Sequence, residues 1–344
     1  MEVDRGNGAS KIQKQIDEEY RQYRYGENSP KNLQKGIKML TEFFPNYSEE
    51  ELEARSKRIN LEMVFEEVKE CFFQEFGYSC EALEFNNLYQ RDVTSYLFND
   101  ETHPAFVHID ELLESSALLL LLVMFKWSKE IEDADKCGDC FSYMLFLFNE
   151  MVIFGELPDE NALRESLRIV EGDEQILQLA EGCYWTIIVF SIAHEIAHYY
   201  FTSVGKAFLG NRIQEELEAD SVAYHIVLRC IMLNELTLAE YSYLAPLMYM
   251  DFYDMYEYVD SLLYETTHSN GEYPSLEERK TQLLSIVEKD IYELDTEDGN
   301  TLYAGFSDVV EAFKKQAYEK KQLGYFDSII KKGNNRNCKE KSYE

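Results

Sequence analysis

Apolar residues recur at intervals of three and four along most of this chain, and only six prolines interrupt its 344 residues. A chain patterned in this way folds into helices that each bury one face, with few strands. Leu61–Phe76 is a clear case, with Met63, Val64, Val68, Cys71 and Phe72 on one amphipathic face. The run from Leu112 through Trp127 reads as a buried helix, and residues 141–154 as another that stops before Gly155. The helical pattern continues over 173–201, resumes to about Leu233 after a glycine-containing connection at 202–211, and returns over 238–264. Residues 105–109, following His103 and Pro104, form the best strand candidate. Breaks at Asn28-Ser29-Pro30 and Phe44-Pro45-Asn46 divide the first sixty or so residues into two or three short helices. The expected class is mainly α with a small β element.

Charge narrows the partners. The chain carries 65 Asp and Glu against 33 Lys and Arg, a formal net charge of −32. A surface this acidic repels phosphate backbones, so nucleic acid is not an expected partner. The opening residues lack a basic-then-apolar signal pattern, and export by that route is not expected. The longest apolar stretches, 117–125 and 183–193, fall short of the roughly 18–20 residues that span a bilayer. Seven scattered cysteines, an odd number, suit a reducing compartment, and the expected location is the cytoplasm. Cys137-Gly138-Asp139-Cys140 lacks a second pair and reads as a turn with two reduced thiols, with a redox clasp as the less favoured reading.

The informative chemistry lies in Ser191-Ile-Ala-His194-Glu195-Ile-Ala-His198-Tyr-Tyr. Two histidines four apart on a helix lie one turn apart on one face, so both imidazoles can bind a single Zn²⁺ while Glu195 projects toward the water it activates. A catalytic zinc needs a third protein ligand and one open position. Glu215-Glu216-Leu-Glu218-Ala219-Asp220 follows on the next helix, where Glu216 and Asp220 share a face. Glu216 can ligate, and Asp220 can accept a hydrogen bond from a ligand imidazole. Small Ala219 and Ala223 let the two helices approach closely. His103, His108 and His225 have no metal spacing and read as ordinary residues. The tyrosine-rich stretch 241–258 reads as core and cleft wall.

These two motifs together resemble the gluzincin metallopeptidases of the CAAX-protease and HtpX type, whose signature is His-Glu-x-x-His followed by Glu-x-x-Ala-Asp. Within them the chain is most similar to the phage-exclusion proteases of the Lit group, over roughly residues 183–284. The resemblance implies a zincin-like helical core with His194, His198 and Glu216 as zinc ligands, Glu195 as general base and Asp220 as the residue orienting a ligand. It also implies an element Thr-His-Pro followed by Arg, here spread over Thr267-His268 and Tyr273-Pro274 through Arg279, with five residues between His268 and the proline. His268 and Tyr273 are therefore both candidates to donate to the oxyanion, with Pro274 and Arg279 positioning the segment.

The expected division is an N-terminal helical portion at 1–100, a zincin-like catalytic region at 101–330 and a disordered tail at 331–344. The expected activity is hydrolysis of a protein or peptide substrate, implied by the resemblance to be that of a latent protease in phage defence. The alternatives are a housekeeping peptidase of misfolded chains and a non-catalytic zinc-stabilised binding module. The intact Glu195 speaks against the last, because a scaffold has no need of a general base.

Overall fold

The computed structural model describes residues 29–58, 60–87, 95–99, 104–155, 158–206, 208, 211–233, 241–264, 273–290, 296–327 and 329. Asparagine and aspartate start several of its helices by accepting the N–H groups that a first helical turn leaves unpaired. Asn60 caps α3 (Leu61–Phe76), which follows α1 (Ser29–Phe43) and α2 (Glu49–Arg58). Asp110 caps α4 (Glu111–Lys129), Asp133 caps α5 (Ala134–Asn149), Asp159 caps α6 (Glu160–Val170) and Asp173 caps α7 (Glu174–Ser203). Then come α8 (Arg212–Leu233), α9 (Ala245–Tyr264), α10 (Leu276–Asp290) and α11 (Thr296–Gln322). The fold is mainly helical with one small sheet, as the apolar spacing predicts.

One boundary departs from expectation. Asp133 accepts from the backbone N–H of Asp135 and of Lys136, each at 3.2 Å, and so starts α5 well before the apolar run at Phe141. Cys137 and Cys140 stand in the opening turns of that helix, not in a turn. The far end matches better: α5 passes into a π-helical turn, Glu150–Phe154, and stops where Gly155 takes a left-handed conformation at φ 55°.

Strands β1 (Glu84–Asn86), β2 (Ser95–Phe98) and β3 (Phe106–Ile109) form a sheet in the order β1-β3-β2. β1 runs parallel to β3, whereas β2 runs antiparallel with Tyr96 opposite His108. β3 is the strand expected from residues 105–109, and β2 is the outer strand on the side of α7.

Helix α7 forms the centre of the molecule. It packs against α4, α3, α8 and β2, and its residues from Gly182 through Ala197 are all buried. A helix that is apolar all round needs neighbours on every side. By length and composition α7 could cross a bilayer, because the helix extends beyond the apolar stretch 183–193; 83% of its most apolar window is buried inside the fold. The closest neighbour is α8, where Ala193 and Ala197 of α7 and Ala219 and Ala223 of α8 are all at 0% exposure. Four small side chains at the contact allow the two backbones to approach, which brings the polar residues on adjacent turns within bonding range. Helix α3 packs on both, with Phe72 meeting the ring of Tyr200. Tyr224 of α8 donates to the carbonyl of Tyr243 at 2.9 Å and seats the start of α9 beside them.

Candidate metal centre

The helical repeat places His194 and His198 on one side of α7, with ring centroids 4.8 Å apart. Their Nε2 atoms lie 3.1 Å from each other. Glu216 of α8 brings Oε2 to 3.3 Å from His194 Nε2 and 3.8 Å from His198 Nε2. Two donors on a tetrahedral ion with bonds of 2.0–2.1 Å stand about 3.3–3.4 Å apart, so the three side chains fit one metal ion between them. Among the described residues this is the group of histidine, cysteine and carboxylate side chains that could hold a metal.

The atoms pointing away from that centre are also engaged. His194 Nδ1 lies 3.0 Å from Asp220 Oδ1, and Asp220 is completely buried. Arg279 of α10 closes the chain: its Nε and one terminal nitrogen donate to the two oxygens of Asp220, each at 2.6 Å. His198 Nδ1 donates instead to Glu215 Oε1 at 3.0 Å. These partners hold each ring so that Nε2 faces the centre.

The charges support one another in a region of low dielectric. Burial opposes a charged imidazole at His194, but the carboxylates of Asp220 and Glu216 outweigh it and lift the pKa to about 10. Burial would raise Glu216, yet His194 and His198 hold it well below the usual carboxylate range. Asp220 is likewise held low against burial by Arg279 and His194.

Glu195, the residue after His194, is 6% exposed and accepts a hydrogen bond from Ser95 Oγ at 2.9 Å. Ser95 opens β2, so the outer strand of the sheet is tied to the helix that carries the histidines. The cleft above has a volume of about 1160 Å³ and is lined by Ser95, Tyr96 and Leu97 of β2, by Tyr249 and Tyr253 of α9, and by Tyr273. This agrees with the expected cleft wall; Tyr249 donates to the Tyr253 hydroxyl at 3.2 Å. Tyr273 is 48% exposed, with the Arg212 guanidinium 4.7 Å from its ring centre. His268 lies outside the described residues.

The structure thus brings His194, Glu195, His198, Glu216, Tyr273 and Arg279 to one cleft, with Asp220 buried behind His194. Two neighbours escape the sequence reading. Glu215 has a signal in hindsight, since the residue before Glu216 on a helix points about 100° away and reaches the second histidine. Ser95 has none, because a single serine in an unrecognised strand carries no local pattern. His225 is exposed, and its Nδ1 lies 2.7 Å from the Ser221 carbonyl oxygen. No protein-family model matches the chain, and no curated protein or solved structure matches it either.

Proposed function

We propose that this chain is a zinc-dependent endopeptidase, and the observation that carries the reading is the convergence of His194, His198 and Glu216 beside a buried Glu195 at the base of a cleft. Two imidazoles and one carboxylate are the ligand set of hydrolytic zinc sites that keep a position open. Zinc bound by them would supply Lewis acidity, polarising a carbonyl and lowering the pKa of water.

The protein's own residues supply the rest. Glu195 takes the proton of the attacking water and returns it to the leaving amine, a task for a carboxylate held in one orientation, and Ser95 provides that restraint. The outer strand β2 lines the cleft with three consecutive residues, so an extended peptide can lie along it and pair with its backbone. An oxyanion donor completes the set, from Tyr273 or His268. Tyr273→Phe is expected to lower kcat by about 10²-fold with KM and zinc content unchanged. An unchanged kcat passes the role to His268.

Glu195→Gln tests the enzyme reading. The variant is expected to fold and retain zinc while the new protein N-termini produced by expressing wild type disappear. Identical sets of N-termini from wild type and Glu195→Gln would overturn the peptidase and favour a metal-stabilised binding module.

A further inference from the structure

Outside the metal centre, two cysteine side chains among the described residues are in direct contact. Cys71 of α3 and Cys230 of α8 are 3% and 0% exposed, and their sulfur atoms lie 2.8 Å apart. A disulfide bond is 2.03–2.05 Å long, so under one ångström of movement separates this dithiol from a bridge. The two residues are 159 positions apart in sequence and are brought together only by the packing of α3 on α8. We propose that Cys71 and Cys230 are an oxidation site, forming a reversible disulfide that fastens α3 to the helix carrying Glu216 and Asp220.

The surroundings assign the roles. The Cys230 thiol donates to Cys71, which favours the Cys71 thiolate over its thiol, and Arg229 adds a positive charge nearby. Burial, Glu67 and Glu70 oppose this, and the net direction at Cys71 is downward. Cys230 moves the other way, because its proton is engaged by Cys71 and its sulfur is buried. With hydrogen peroxide as oxidant, the Cys71 thiolate attacks one peroxide oxygen, the O–O bond breaks, Cys71 becomes a sulfenic acid, and the departing hydroxide takes up the proton Cys71 had given up and leaves as water. The Cys230 sulfur then attacks the Cys71 sulfur, loses its proton, and expels the sulfenic oxygen as a second water. Two thiols give up two electrons and two hydrogens to one hydrogen peroxide, which leaves as two waters.

The other described cysteines lack this arrangement. Cys137 and Cys140 have the spacing of a redox pair, but they lie on a regular helix, Cys137 points its Sγ at the Glu130 carbonyl at 3.3 Å, and burial pushes the Cys140 thiol up to about 12.

The test uses the purified full chain in its native state, treated with hydrogen peroxide, quenched, and unfolded in denaturant with an alkylating agent. The expected result is loss of two of the seven thiols, a tryptic pair of peptides joined through Cys71 and Cys230, and recovery of all seven thiols with a reducing dithiol. Closing so long a loop is expected to raise the melting temperature by about 5–10 °C. The Cys137→Ser/Cys140→Ser variant is expected to lose two thiols in the same way, and Cys230→Ser to yield a sulfenic acid at Cys71 that a dimedone-type probe captures. Seven thiols after treatment, a bridge between Cys137 and Cys140, or sulfinic acid at Cys71 without a bridge would each overturn the proposal.

Discussion

The two histidines of the centre are supported in contrasting ways. His194 leans on Asp220, which is fully buried and gripped by both nitrogens of the Arg279 fork, so its support runs through α8 into α10. His198 leans on Glu215, whose side chain is 36% exposed at the cleft entrance. A buried carboxylate cannot exchange its partner for water, and removing either end leaves a charge stranded at low dielectric. An exposed carboxylate can be replaced by solvent at little expense. The inner arm is therefore a fixed post that sets the site, and the outer arm an adjustable one.

The sharpest way to break this contrast is Arg279→Ala. It strands Asp220 without its cation, and a loss of about 3–5 kcal/mol in urea unfolding is expected, with zinc binding lost in proportion to the unfolded fraction. A stability change below about 1 kcal/mol would show that the inner arm is no firmer than the outer.

A second effect comes from pH. The raised pKa of His194, about 10 against 6.5 in the unfolded chain, means that the zinc-free folded state binds more protons between those values. Its stabilising contribution is complete below about pH 6.5 and is lost as pH rises toward 10. Zinc must displace the same proton, so its apparent affinity runs the opposite way and rises about tenfold per pH unit in that window. Urea midpoints of chelated protein and zinc titrations across pH 6.5–9 check the two slopes; parallel slopes would contradict the protonated His194.

Smaller changes follow at the carboxylates themselves. Asp220→Asn is expected to weaken zinc binding by about 10–100-fold while keeping the fold, measured by competition with a chromogenic chelator. Glu215→Gln, at the exposed arm, is expected to change affinity by no more than about threefold. Equal losses in the two variants would erase the distinction between the arms.

What was legible in the sequence follows from the range of the forces involved. The helical repeat imposes one face on His194 and His198, and on Glu216 and Asp220, so those pairings can be read from spacing alone. The alanines that let α7 and α8 approach were visible for the same reason. Strand β2 is four residues long and half-buried throughout, which gives no alternation to detect, and Ser95 went unrecognised with it. The Asp220–Arg279 fork joins residues 59 apart, and only the resemblance pointed to Arg279. The Cys137–Cys140 spacing is visible in the sequence, whereas the contact between Cys71 and Cys230 is created by tertiary packing and leaves no local signal.

The central claim is that His194, His198 and Glu216 together hold one zinc ion. Metal analysis of the purified chain, after chelation and reconstitution with zinc, tests it most directly when repeated on His194→Ala, His198→Ala and Glu216→Ala. About one zinc per wild-type chain and almost none in each variant is expected, with all four proteins folded by circular dichroism. Full zinc occupancy in Glu216→Ala, or none in wild type, would contradict it.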